Sequence, residues 1–324
     1  MYMITKPNVK INLGLNILRR REDGFHDLET LFVPYFGLHD TLEIIVGDDY
    51  SRTSAALFAR YGDDVPAKQG SIKPEGVFGV ETDDVAAPKI AQGISEDGKL
   101  MITIARAEGV DWDPMNDLCA KAYQLLSEDF ELPPVKIFLE KTSPVGAGLG
   151  GGSADAAFTL KMLDELCSLG LTEQQLAHYA SRLGSDCAFF VYNRPMIGEG
   201  RGEVLTDLFS ELPHLKTVFG SQEDVRSDNV LAQYDLQVIT PAGISVSTAE
   251  AYGGITPRLP EVSLRDALAR PVEEWDGILV NDFETTVFAR HPELAAIKRS
   301  LYDSGAVYAS MSGSGSALFA IYPR

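Results

Sequence analysis

The run Ser143-Pro144-Val145-Gly146-Ala147-Gly148-Leu149-Gly150-Gly151-Gly152-Ser153-Ala154-Asp155-Ala156-Ala157 has the composition of an anion cradle. Its five glycines carry no Cβ, so backbone N–H groups can approach an anion closely. A helix starting inside the run adds unpaired donors and partial positive charge. Pro144, Gly146, Gly148, Leu149, Gly150, Gly151, Gly152 and Ser153 are the candidate phosphate contacts. The run lacks the Gly-Lys-Ser/Thr ending of the common P-loop. Gly146 to Gly151 satisfies the G-x-G-x-x-G spacing, as many glycine-rich stretches do. The plain structural reading is a flexible loop or tight strand-to-helix turn, and the immediate helix-forming continuation weighs against it.

Five further places carry side chains suited to chemistry. Ser185-Asp186 follows Gly184 and precedes the apolar run Cys187 to Val191. An aspartate on such a rigid junction can serve as a general base, or simply cap the turn. Lys10 and Asn12 share one face of an alternating strand, either solvated or lining a cleft where an ammonium steadies phosphate charge. Phe25-His26 closes a charged turn, either as a platform for a flat heterocycle or as the loop's own hydrophobic anchor. Tyr252, preceded by Ser245, Ser247 and Thr248, could supply a second stacking ring. Asn116 is either a helix cap or a nucleotide contact, the cap being the commoner use.

These residues need elements to hold them. Val9, Ile11, Leu13, Leu15 and Ile17 alternate with polar residues, which predicts a strand over 8–18. Residues 31–35, 41–46, 136–140 and 236–240 read as further strands, and Cys187 to Val191 as an apolar strand-like run. Phe158, Met162, Leu163 and Leu166 recur at helical spacing behind the glycine loop. Leu118, Ala122, Leu125 and Leu126 do the same behind Asp113-Pro114. Thr172-Glu173-Gln174-Gln175 has the form of a capping box, and Gly184 stops the helix it opens. A helix is expected over 294–303, then a strand, the small-residue turn Ser312-Gly313-Ser314-Gly315-Ser316, and a final strand. From about 47 to 110 the chain reads as an irregular, exposed insertion in which 100–104 could form one strand. Its acidic pairs Asp48-Asp49, Asp63-Asp64 and Asp83-Asp84 lack calcium-loop spacing and read as solvated surface.

The 324 residues suffice for two domains with full cores. A formal net charge of −19 argues against nucleic-acid or anionic-membrane partners, so any phosphate must be met by local donors. Three scattered cysteines without metal-type spacing suit a reducing cytoplasm, and the N-terminal residues read neither as a leader nor as a membrane span.

Pro144 to Ala157, Gly184-Ser185-Asp186 and Ser312 to Ser316, in this order, resemble the GHMP family of small-molecule kinases. Lys10-Ile11-Asn12-Leu13, Arg20 to His26, Gly198 to Glu203 and Asn281 to Glu284 are similar to the branch acting on cytidine-diphosphate-linked sugar alcohols. The resemblance implies a two-domain α/β fold of α+β type with the active site in the interdomain cleft. An ATP-binding domain over 1–195 would carry the insertion, and a second domain would occupy 196–324. It also implies that Asp186 deprotonates or orients the acceptor hydroxyl, that Lys10 steadies charge, and that Asn12 and Thr248 contact the acceptor. His26 would read a cytosine edge, with Phe25 and Tyr252 sandwiching the base. ATP is the implied donor, with Mg²⁺ carried mainly by its phosphates and no protein metal ligand assigned. Asn116 is grouped with the ATP contacts, although the adenine pocket does not transfer across the insertion. Ala188 departs from the proline of many relatives.

Overall fold

The computed structural model describes residues 1–47, 60, 87–219, 231 and 233–324. The acidic pairs at 48–49, 63–64 and 83–84 lie outside them. The fold is mixed α/β, as expected, with its described strands in three sheets.

The first sheet has the order β1-β4-β7-β6-β5, from Tyr2–Thr5 (β1), Thr41–Val46 (β4), Ile90–Ile94 (β5), Leu100–Arg106 (β6) and Val135–Lys141 (β7). Here the structure corrects the expected irregular insertion. Residues 90–106 form an antiparallel hairpin whose second strand runs parallel to β7. Leu100, Ile102 and Ile104 are fully buried in the domain core. The alternation over 100–104 was visible, but Ile90–Ile94 carries little pattern, because only its tertiary pairing stabilises it.

The second sheet, β2-β3-β8-β9, is built from Asn8–Arg20 (β2), His26–His39 (β3), Met196–Gly200 (β8) and Val204–Asp207 (β9). Both faces of β2 are covered: Asn8, Lys10, Asn12 and Asn16 are buried alongside Val9, Ile11, Leu13 and Leu15. The polar face is therefore not solvated, and its polar groups must find partners inside the protein. The third sheet, β10-β12-β11, comprises Tyr234–Ile239 (β10), Tyr308–Met311 (β11) and Leu318–Pro323 (β12).

Four helices fill the N-terminal core: Leu118–Ser127 (α1), Gly151–Cys167 (α2), Glu173–Leu183 (α3) and Cys187–Tyr192 (α4). The Thr172 capping box is present with both reciprocal bonds. The run Cys187 to Val191, expected as strand-like, is helical. A short, wholly apolar run does not distinguish the two states by periodicity. Packing against α2 and α3, with Phe189 and Phe190 fully buried, decides for helix. Single-turn helices at Leu208–Glu211 and Lys216–Phe219 precede Thr248–Tyr252 (α5), Leu264–Leu268 (α6), Phe283–Arg290 (α7) and Pro292–Asp303 (α8). No helix among the described residues is long and apolar enough to cross a membrane.

Candidate active site

The glycine run leaves β7 and enters α2 with Gly146, Gly148 and Gly150 all at positive φ, between 71° and 75°. Only glycine adopts such a succession without strain. The ends of the run are tied together behind it. Asp40 accepts bonds from the Thr142 and Ser143 backbone N–H groups, both 2.7 Å, and from Ser143 Oγ. Lys141 Nζ bridges Asp40 (2.5 Å) and Asp155 in the first turns of α2 (2.6 Å). All three side chains are buried. Burial alone would push Lys141 down, but the carboxylates of Asp155 and Asp40 outweigh it and raise it, keeping the ammonium charged. Burial pushes Asp155 up against the pull of Lys141, and its Oδ1 has no hydrogen-bond partner.

In front of the run lies a cavity of about 330 Å³ lined by Pro144, Gly146, Gly148, Gly150, Gly151, Gly152 and Ser153, with Trp112, Asp117, Leu118 and Lys141 on its far wall. Two expected members fall outside that lining. Leu149 is buried in the core with Val9, Ile11 and Leu13, and its carbonyl accepts the Lys10 backbone N–H at 2.9 Å. Asn116 is exposed at the end of a short 3₁₀ turn, and the N-cap of α1 is Asp117, whose carboxylate accepts from Cys119 N.

On the other side of the glycine run is a second cavity of about 520 Å³, lined by Lys10, Asn12, Gly146, Gly148, Gly150, Asp186, Arg201, Thr248 and Tyr252 among others. Gly146, Gly148 and Gly150 border both cavities. Lys10 Nζ, only 3% exposed, donates to Asn12 Oδ1 and to Gly148 O (3.0 Å). It stands 3.3 Å from Asp186 Oδ2 and 5.5 Å over the Phe32 ring. Asn12 Nδ2 donates to Thr30 Oγ1. Asp186 heads α4, yet its carboxylate makes no capping bond, so it is directed to Lys10 and the cavity rather than to its own helix.

The small-residue turn after β11 closes the cavity floor. Ser312 Oγ donates to Gly148 O, and Asn281 Nδ2 donates to Met311 O and Gly313 O. A Cβ on Gly148 would come within 2.1 Å of Ser312 O, which is why the two small-residue loops can touch only as they are.

Around Tyr252, which lines this cavity, the rings differ from the expected sandwich, and neither Phe25 nor His26 belongs to the lining. Tyr252 stacks on His26, with centroids 4.9 Å apart and planes 23° apart, and Phe283 meets Tyr252 edge-on. Phe25 is 56% exposed and lies beneath the Arg201 guanidinium at 5.1 Å. His26 is the first residue of β3, fixed by pairing with Arg20, whereas Phe25 belongs to the turn before it, its carbonyl accepting the Arg21 N–H and its N–H donating to Asp23. Burial, reinforced by Arg20, lowers the His26 pKa, so the imidazole is neutral at pH 7. Burial and the nearby Asp186 charge raise the Tyr252 hydroxyl.

The structure thus gathers Lys10, Asn12, Asp186, Thr248, Tyr252 and the glycines of the run about one centre. Trp112, Asp117, Lys141 and Arg201 were not singled out from sequence, and Arg201 could have been: it is the cation in a turn flanked by Gly200 and Gly202.

A family model described as the GHMP kinases N terminal domain matches residues 117–194, and one described as GHMP kinases C terminal matches 264–324. The chain is 41% identical to the 4-diphosphocytidyl-2-C-methyl-D-erythritol kinase of Bacteroides thetaiotaomicron and 38% identical to that of Bacteroides fragilis. Each alignment covers 99% of this chain and 92% of the relative. The chain belongs to the 4-diphosphocytidyl-2-C-methyl-D-erythritol kinase branch of the GHMP kinases. A crystal structure of 4-(cytidine 5'-diphospho)-2C-methyl-D-erythritol kinase superimposes with a TM-score of 0.65 at 25% identity, covering 98% of this chain and 90% of that one. GHMP kinases are ATP-dependent phosphotransferases. The N-terminal match begins at the α1 cap and includes the glycine run and Asp186, whereas Lys10, His26, Arg201, Thr248 and Tyr252 lie outside both matched spans.

Proposed function

We propose that this protein transfers the γ-phosphoryl group of ATP to the 2-hydroxyl of 4-diphosphocytidyl-2-C-methyl-D-erythritol, a step of non-mevalonate isoprenoid precursor synthesis. The observation that carries the reading is that the Lys10–Asp186 pair and the Tyr252 ring line one cavity, with His26 stacked on Tyr252. A small alcohol such as mevalonate or homoserine would use the ion pair and leave the rings idle.

Phosphoryl transfer needs positioning and charge stabilisation more than covalent chemistry. The backbone N–H groups of the glycine run and the start of α2 hold the ATP phosphates in the smaller cavity. Asp186 accepts the hydroxyl proton as the new P–O bond forms and the bond to ADP breaks. Lys10, charged and beside both Asp186 and Gly148, offsets negative charge on the transferring group. Asn12 and Thr248 orient the acceptor, while His26, Tyr252 and Phe25 serve its base. Because His26 covers Tyr252, base stacking on that ring requires the imidazole to turn aside.

No group of three or more His, Cys, Asp or Glu suited to a metal lies among the described residues. Asp155 is buried and bonded to Lys141, and Asp117 on the cavity wall accepts from Trp112 Nε1 and Cys119 N, which leaves the Ser153 hydroxyl as the oxygen donor there. These residues fit a magnesium ion delivered on ATP, with Ser153 beside it; the ion's contribution is charge neutralisation of the phosphates. The two lobes correspond to about 1–195 and 196–324, with the hairpin of β8 and β9 paired back on β3. The reading suits a cytoplasmic enzyme whose partners are small molecules.

The test is ADP release with 4-diphosphocytidyl-2-C-methyl-D-erythritol, mevalonate and homoserine offered separately. Turnover with the cytidyl compound alone is expected; turnover with mevalonate or homoserine alone would replace the substrate and keep the kinase.

A further inference from the structure

The acceptor named above carries a diphosphate between its base and its sugar alcohol, and the chain it must approach has a formal net charge of −19. Repulsion on this scale calls for a local cation at the point of entry. Lys10 is not that cation, because it is buried and committed to Asp186, Asn12 and Gly148.

Arg201 sits where such a cation belongs. It lines the acceptor cavity together with Lys10, Asp186 and Tyr252. It is carried by the turn joining β8 to β9, between Gly200 and Gly202, both at positive φ (69° and 108°). The turn lies beside Asp186: a Cβ on Gly202 would be 4.0 Å from Asp186 Oδ1 and 3.5 Å from the Phe32 ring. The Arg201 guanidinium itself lies 5.1 Å over Phe25. Arg201 therefore neighbours both Asp186, through its turn, and the Phe25 ring, as the diphosphate links hydroxyl and base.

Its side chain is 39% exposed, with Glu203 beside it and Asp23 within reach of its charge, and its terminal nitrogens stay open to a ligand. Glu203 accepts the Arg201 backbone N–H at 2.6 Å and Nε at 3.4 Å. Both terminal nitrogens are without a hydrogen-bond partner among the described residues. A planar guanidinium held by Nε and stacked on a ring keeps a two-pronged donor face for phosphate oxygens.

We propose that Arg201 binds the diphosphate of the acceptor and determines preference for a nucleoside-diphosphate-linked alcohol. The proposal rests on the kinase reading above. In Arg201→Gln, the KM for 4-diphosphocytidyl-2-C-methyl-D-erythritol rises roughly 10- to 100-fold, the loss of one or two charge-assisted hydrogen bonds. The KM for ATP and kcat at saturation stay within about threefold of the parent, and Arg201→Lys recovers part of the loss. Inhibition by CDP and by cytidine separates the diphosphate from the base: CDP weakens in Arg201→Gln while cytidine does not. An acceptor KM within about twofold of the parent, an equal rise in the KM for ATP, or equal weakening of CDP and cytidine would overturn the proposal. Parent enzyme that does not turn over the cytidyl acceptor would instead overturn the functional reading.

Discussion

At the scale of single residues the site is an ion pair aimed at a cavity. Asp186 shares its charge with Lys10 at 3.3 Å and makes no bond to its own helix, so its position is fixed by the junction while its carboxylate stays available. Asp186→Asn keeps the shape and removes the base. It should lower kcat by about 10²–10⁴-fold, the usual span for a positioned general base, with the KM for ATP changed less than about threefold. Steady-state ADP release checks both numbers; an unchanged kcat would remove Asp186 from the reaction. The residue identities here were legible, since Lys10, Asn12 and Asp186 stood out by type and by pattern. Their partners were not, because a side chain's hydrogen bonds depend on segments far away in sequence.

The elements explain how the glycine run holds its form. Asp40, Lys141 and Asp155 join the end of β7 to the beginning of α2 behind the loop, and the turn after β11 supports it from the front. Gly148 is the meeting point, accepting from both Lys10 and Ser312 at φ 75°. Gly148→Ala would force a left-handed backbone on alanine and drive Cβ into Ser312 O. The expected cost is about 1–3 kcal/mol of stability with turnover reduced at least about tenfold, read from urea unfolding and ADP release on the same preparation. A variant of parental stability and activity would show that the two loops need not touch. The glycine run, the capping box and the helix behind each were readable because neighbouring residues dictate them. α4 and β5 were not, because their states depend on what packs against them.

Across the whole molecule, Arg265 on α6 staples the C-terminal half to the second sheet. It bonds Glu29 at 2.6 Å and also reaches Glu199 and Glu211. Glu29 is buried, and burial raises its pKa against the pull of Arg265. Arg265→Met removes the cation beside that carboxylate and leaves it only the hydrogen bonds from the Leu264 N–H and Asn16, which should cost about 1–3 kcal/mol at neutral pH. The sign of the pH dependence follows from the raised value: the folded state holds the Glu29 proton more tightly than the unfolded chain. Stability of the variant therefore falls further below the parent as pH rises from about 5 to 8, and the gap narrows as acid protonates Glu29. Urea denaturation of both proteins at the two pH values measures it; a gap independent of pH would assign the loss to packing alone.

The sequence by itself determined the glycine-rich strand-to-helix turn, the Thr172 capping box, the alternating β2 and the order of three motifs that mark the family. Each is specified by residues within a few positions of one another, where backbone conformation and periodicity decide. The tertiary structure alone decided that the polar face of β2 is buried and that residues 90–106 belong to the first sheet. It also decided that Lys10 meets Asp186, that His26 rather than Phe25 faces Tyr252, and that Arg201 lines the cavity of Lys10 and Asp186. Those outcomes are contacts between distant segments, and their free energy exists only once the sheets have brought the segments together.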